Sequence, residues 1–277
     1  IIDNSSNNST VFNAVLQNLV DQKFPVNDDM KEDAATIIKQ IKSAYKSNYG
    51  DNYKDSLNQA LTSAGYKNLS EYRQRMIKQI QYANFLLDYI DDHFDDVFND
   101  YYQQCAPKYV SLIKISVSDT SSPTDDETSK LNEVKELISN TDKSFGDIAQ
   151  DYSDDSTSSK KGSLGIVDSK DTSGIANSYG KDVFNAIEAL SEGQVSDVIT
   201  GDDGYYFVKV TSTDKKTLKK ELKKTDIDSP LLAYDDYLQY VVYNSYKINY
   251  KDKDIKKIVQ EVVNKALEER KTERGEA

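Results

Sequence analysis

Cys105 and His93 are the only cysteine and the only histidine among 277 residues, and they bound the chemistry this chain can do. A thiol nucleophile needs a base, and no histidine follows Cys105. The single imidazole stands ahead of it, among the aspartates of Tyr89-Ile-Asp-Asp-His-Phe-Asp-Asp. These contexts favour a surface imidazole and an idle, buried thiol. Ser-His-Asp and Cys-His hydrolases are thereby excluded, and one Cys with one His cannot build a Cys/His metal site or a disulfide. Asp168-Ser-Lys-Asp-Thr-Ser-Gly opens like a calcium loop, but Tyr179 stands where the closing Glu is needed, which leaves a solvated loop. No metal and no cofactor is implied. Lys215 to Lys224 gathers six lysines, read as a solvated helix face. An anionic surface or the acidic 88–100 stretch are the other partners it could meet.

The formal charge is −12, from 47 acidic and 35 basic residues, which argues against a nucleic-acid partner, because phosphate binding needs a basic face. Charged residues reach 30%, yet 20 Tyr and 8 Phe are too many for a disordered chain. Only 11 Gly and 4 Pro exclude collagen-like or proline-rich architectures. No apolar run approaches the ~18 residues needed to span a bilayer. The chain opens on Ile1-Ile-Asp-Asn without Met or signal peptide, so any export signal is expected upstream.

The elements follow from periodicity. Val11, Phe12, Val15, Leu16 and Leu19 make one helical stripe, ended by Pro25. Asn27 offers a cap for a second helix with Ile37, Ile38 and Ile41, and a shorter one carries Leu57 and Leu61. Ser70 is expected to cap a long helix running to about residue 103. Tyr109–Val117 alternates as a strand, and helices follow at Leu131–Leu137 and from Phe145. A polar loop covers 153–163. Leu164–Val167 is a strand, 182–190 a helix and 195–200 a strand. Asp202-Asp-Gly turns the chain into a strand at Tyr205–Val210. Helices return at 215–224, 230–246 and 253–270, with Arg270–Ala277 expected to fray. The tyrosines Tyr45, Tyr49, Tyr53, Tyr66, Tyr72, Tyr82 and Tyr89 pack the helices or line a groove for unfolded chains.

Four blocks stand in order in the middle third: Ser144-Phe-Gly-Asp-Ile-Ala-Gln-Asp-Tyr-Ser-Asp-Asp, Gly162-Ser-Leu-Gly, Ala189-Leu-Ser-Glu-Gly-Gln-Val-Ser and Asp203-Gly-Tyr-Tyr-Phe-Val-Lys-Val. Their order and spacing closely resemble a parvulin-type peptidyl-prolyl isomerase domain. A parvulin flanked by helical segments resembles the PrsA family of extracytoplasmic foldase lipoproteins of Gram-positive bacteria. A narrower resemblance is to the maturation proteins of lactic-acid bacteria, which activate a secreted protease. The resemblance implies an α+β fold, with a parvulin-type four-stranded sheet and its helices inserted into an all-α chaperone-like domain. Residues 1–106 and 215–277 would form the helical domain, and 107–214 the parvulin-like one. It further implies unfolded or partly folded secreted proteins as partners, a lipid anchor outside these residues on the extracytoplasmic face of the membrane, and a homodimer as one possible assembly.

Prolyl isomerisation breaks no bond; its barrier of ~18–20 kcal/mol is amide resonance. A catalyst holds the proline ring in an apolar cup and favours the twisted amide with low dielectric and a few placed hydrogen bonds. The family builds this from two histidines, a Cys or Asp, and a Leu, Met and Phe cup. By resemblance, Asp155 takes the Cys/Asp position and Leu164 the Leu of the cup. The Met and Phe fall near Tyr179 and Val183 or Phe184. Leu112 replaces the first histidine and Tyr206 the second. One reading keeps a polar floor of Asp155 and Tyr206 with reduced catalysis; the other leaves a binding domain with activity lost. Ser118–Glu127 carries no Lys or Arg, which argues against phosphoserine-proline specificity.

Overall fold

The computed structural model describes residues 4–140, 142–222 and 227–276, and the chain divides into two compact units. Ile1–Asp3 at the chain start, Lys223 and Lys224 of the lysine run, and Ala277 lie outside the described residues.

The first unit joins the chain up to His93 with the chain from Asp235 onward. It holds α1 (Asn4–Lys23), α2 (Asp28–Tyr49), α3 (Tyr53–Ser63), α4 (Leu69–Asp92), α11 (Leu238–Ser245) and α12 (Lys253–Glu273). Asn27 caps α2 by accepting from Met30 N–H at 2.9 Å. Met30, Ala34 and Ile38 of α2 pack against Met76, Ile77 and Ile80 of α4. N- and C-terminal helices share a core: Phe12 stacks on Tyr240 at 4.8 Å and Phe85 on Tyr246 at 5.5 Å. The all-α domain is thus built from both ends of the chain.

Several local expectations change: the helix expected at 230–246 forms only a 3₁₀ turn at Pro230–Leu232 and, after a break, α11 from Leu238. Asn68, not Ser70, caps α4, accepting from Glu71 N–H at 2.9 Å. The long helix stops at Asp92, and α5 (Phe94–Cys105) starts anew. That break puts Asp95 and Asp96 in a first turn, where the helix dipole favours them, instead of deep inside one acidic helix. His93 at the junction is exposed and stacks on Tyr89 at 4.1 Å. The C-terminal helix does not fray at Arg270 but continues to Glu273, because Asp235, buried at 6% exposure, accepts from Arg270 and Arg274 at 2.8 and 2.9 Å.

The second unit contains α5, β1 (Lys108–Ser116), α6 (Asp125–Asn140), α7 (Phe145–Tyr152), β2 (Ser163–Val167), α8 (Ile175–Tyr179), α9 (Lys181–Ala189), β3 (Ile199–Thr200), β4 (Gly204–Ser212) and α10 (Lys215–Glu221). The antiparallel sheet has the order β2-β1-β4-β3. Alternation along the central strands decides what each face holds. Val110 and Leu112 join Tyr206 and Val208 on one face, under α8 and α9. Ile113, Ile115 and Phe207 sit on the other, under α6 and α7. The 195–200 strand shortens to β3 plus a single bridge, Val195 with Lys209, because the Ser196 hydroxyl takes the Val208 N–H. The 153–163 loop holds a short 3₁₀ turn at Ser156–Lys160.

The loop after β2 is not solvated at its start. Asp168 is fully buried and accepts from the hydroxyls of Tyr101, at 2.8 Å, and Thr172, and from Lys170 N–H at 3.0 Å. Asp171 caps α8 through Ile175 N–H. In the described part of the lysine run, Lys219 pairs with Asp95 at 2.8 Å and lies over Phe98, so one lysine does meet the acidic stretch. Cys105 is fully buried, as expected of an idle thiol. Among the described residues no helix is long and apolar enough to cross a membrane.

Candidate functional site

The face of the sheet shared by β1 and β4 gathers the residues singled out above. Leu112, Val183 and Tyr206 are buried in one apolar cluster, with Leu164, Tyr179 and Phe184 packed around it partly exposed. Gly162 makes this closeness possible. Its φ is +75°, and a Cβ there would stand 2.3 Å from the Leu112 carbonyl oxygen. Its own carbonyl accepts from Leu112 N–H at 2.8 Å, which ties the 3₁₀ turn and β2 to β1.

A cleft of about 600 Å³ opens beside this cluster, lined by Tyr179, Val183, Ile199, Gly201, Asp203 and Tyr206 among others. Gly201 forms part of its wall because a Cβ would stand 2.6 Å from the Tyr206 ring. Tyr179 and Tyr206 meet edge to face, ring centres 6.2 Å apart at 81°. Leu112 and Val183 are almost fully buried and act as the floor under the rings; Leu164, Tyr179 and Phe184 keep surface to offer a ligand.

The Tyr206 hydroxyl is committed to a carboxylate. Tyr206 donates to Asp203, and the Tyr179 hydroxyl feels the negative charge of Asp155. Asp155 also caps the 3₁₀ turn, accepting from Thr157 N–H at 2.8 Å and from its hydroxyl at 2.6 Å. The predicted floor of Asp155 and Tyr206 is not formed as one pair: Asp155 serves the 3₁₀ turn and Tyr206 bonds Asp203. Burial raises the Tyr206 hydroxyl above its ordinary value, and the Asp203 carboxylate adds to it. Burial and then Asp155 raise Tyr179 in the same direction. Asp203 is held below the usual carboxylate range by Lys114 first and Tyr206 second.

Sequence reasoning misses two members of this site, Lys114 and Asp203. Lys114 is paired directly with Tyr206 in the β1/β4 register, its ammonium 5.6 Å from the ring centre, and it forms an ion pair with Asp203. The signal in the sequence is period two: Lys114 follows Leu112 by two residues on the same face, and Asp203 sits in the turn that leads into Tyr206. Among the described residues there is no cluster of three or more His, Cys, Asp or Glu able to hold a metal ion.

Residues 112–212 match the family model of the PPIC-type PPIase (rotamase) domain. Foldase protein PrsA of Staphylococcus aureus is 32% identical over 141 residues, covering 48% of this chain and 41% of that protein. PrsA of Staphylococcus epidermidis gives the same identity and coverage. The match therefore spans less than half the length of these curated relatives. Among solved structures, PrsA of Streptococcus pneumoniae aligns with 93% of this chain and 91% of its own at 20% identity and a TM-score of 0.45. PrsA of Bacillus subtilis aligns with 94% and 91% at 21% identity and a TM-score of 0.43. Residues 112–212 thus match a PPIC-type PPIase domain, and about half of the chain is similar to PrsA foldases of staphylococci.

Proposed function

We propose that this chain is an extracytoplasmic foldase whose parvulin-type domain binds prolyl segments and isomerises them weakly or not at all. The observation that carries the reading is the commitment of the buried cleft hydroxyl, Tyr206 to Asp203. A twisted prolyl amide is stabilised by donors free to turn toward it in a dry site. Here Leu112 offers no donor, and the Tyr206 hydroxyl must leave a carboxylate before it serves a substrate. The aromatic and aliphatic surfaces still suit a proline ring.

Secreted proteins in partly folded states are the clients of this reading, which draws on the foldase names of the relatives. Tethering by a lipid on a cysteine outside these residues belongs to the same reading, since Cys105 is buried. A homodimer belongs to it as well. The division of labour proposed gives client holding to the helical unit, the chain up to His93 and from Asp235 onward, and prolyl binding to the parvulin-like domain of 107–214, whose flanking helices α5 and α10 belong to its own unit and not to the helical one.

The test is cis/trans exchange of a prolyl peptide, followed by NMR on the full chain, beside refolding of an aggregation-prone client. Slow or absent exchange with suppressed aggregation is expected. Exchange that is fast and falls with Asp155→Ala or Tyr206→Phe would make it an efficient isomerase instead. Failure in both assays would remove the foldase reading.

A further inference from the structure

The helical unit carries a groove of its own between α2 and α4, of about 480 Å³. Its floor is Ala35, Ile38 and Leu69, and its rim is Lys39, Lys42 and Arg73. The floor is continuous with the core that joins the two helices, since Ile38 is buried in it and Leu69 packs against it. Three cations around an apolar strip stand out on a chain of formal charge −12. Among the described residues none of the three has a carboxylate within ion-pairing range. Arg73 makes one long contact, 3.4 Å to the Lys31 carbonyl. The carboxylate next to the groove, Glu71, is turned back to accept from Lys67 N–H at 2.7 Å.

Like charges gathered without counterions repel one another, and they gain most from a ligand that brings anions and covers the apolar strip together. Ala35 to Lys42 is about 10 Å of helical rise, enough to seat roughly two turns of a helix or three extended residues. We propose that this groove is a docking site for an acidic amphipathic polypeptide segment, whose apolar side chains cover Ala35, Ile38 and Leu69 while its carboxylates pair with Lys39, Lys42 and Arg73. The inference does not rest on the prolyl-isomerase reading, because the groove lies in the helical unit.

The experiment is a fluorescence-anisotropy titration of the full chain with a labelled peptide of alternating Leu and Glu, its Leu/Lys twin, and polyglutamate. The Leu/Glu peptide is expected to bind, and the twin and polyglutamate to bind at least tenfold more weakly. Lys39→Glu with Lys42→Glu is expected to weaken the Leu/Glu peptide about tenfold, as is raising the salt from about 0.05 to 0.5 M. These side chains are exposed, so circular dichroism should show an unchanged fold. Equal binding of the two peptides, equal binding of polyglutamate, no binding, or indifference to the charge reversal would each overturn the proposal. Client refolding in the same variants keeps the outcomes separate: a chain that binds the peptide but protects no client loses the foldase reading and keeps the groove.

Discussion

Lys114 and Tyr206 face one another across the β1/β4 ladder, and Asp203 joins them by accepting from both. The three make a continuous chain of cation, carboxylate and hydroxyl beside the cleft. That arrangement gives the first prediction its sign.

Lys114→Met should raise the Asp203 titration midpoint toward its ordinary value near 3.8, because Lys114 is the largest cause of its depression. A depressed carboxylate adds stability that is complete above its unfolded value and is lost as pH falls through the folded one. Removing Lys114 should therefore matter only at neutral and mildly acidic pH and leave the strongly acidic limit unchanged. Carboxyl-carbon NMR titration checks the midpoint, and an unmoved Asp203 would contradict the coupling.

Glu188 gives the opposite sign. Its carboxyl is raised chiefly by burial, with Asp168 adding to it and Lys108 opposing, and its Oε1 finds no hydrogen-bond partner among the described residues. Ionisation then costs stability as pH climbs above the ordinary Glu value. Glu188→Gln should raise the melting temperature at pH 7 and should gain nothing at pH 4. Thermal melts at the two pH values decide it.

Gly162→Ala should destabilise the sheet unit by about 3 kcal/mol, since it combines a left-handed backbone with a 2.3 Å approach to the Leu112 carbonyl. Denaturant unfolding measures the loss. Gly165→Ala is the control, because it shares a positive φ but has open space around its Cβ. It should cost less than Gly162→Ala.

Asp235→Ala leaves Arg270 and Arg274 without the acceptor they share, and should cost the helical unit about 3 kcal/mol. Hydrogen exchange should show the last two turns of α12 losing protection. Full protection in the variant would mean that apolar packing alone holds the helix end.

Much of this protein is legible in local sequence. Asn27 and Ser144 cap helices with their own side chains, as their types suggest. The alternation from Val110 to Ile115 puts those side chains on opposite faces, and Leu112 shares its face with Tyr206. Caps, stripes and strand alternation need only a few neighbouring residues, so the chain itself encodes them, and with them the α+β class. The order and spacing of the motifs single out Leu164, Tyr179 and Phe184, which pack around one cluster. Partner choice is a different matter. Local signals fail where two cap candidates compete, as Asn68 and Ser70 do, and where a single stripe hides a break at His93. That Tyr206 binds Asp203 and not Asp155, that Asp168 is buried under Tyr101, and that Asp235 holds Arg270 and Arg274 were decided by strand register and by which loops close on which faces. Those contacts join positions up to 67 residues apart in the Tyr101–Asp168 pair, and only the packed tertiary structure brings such groups within bonding distance.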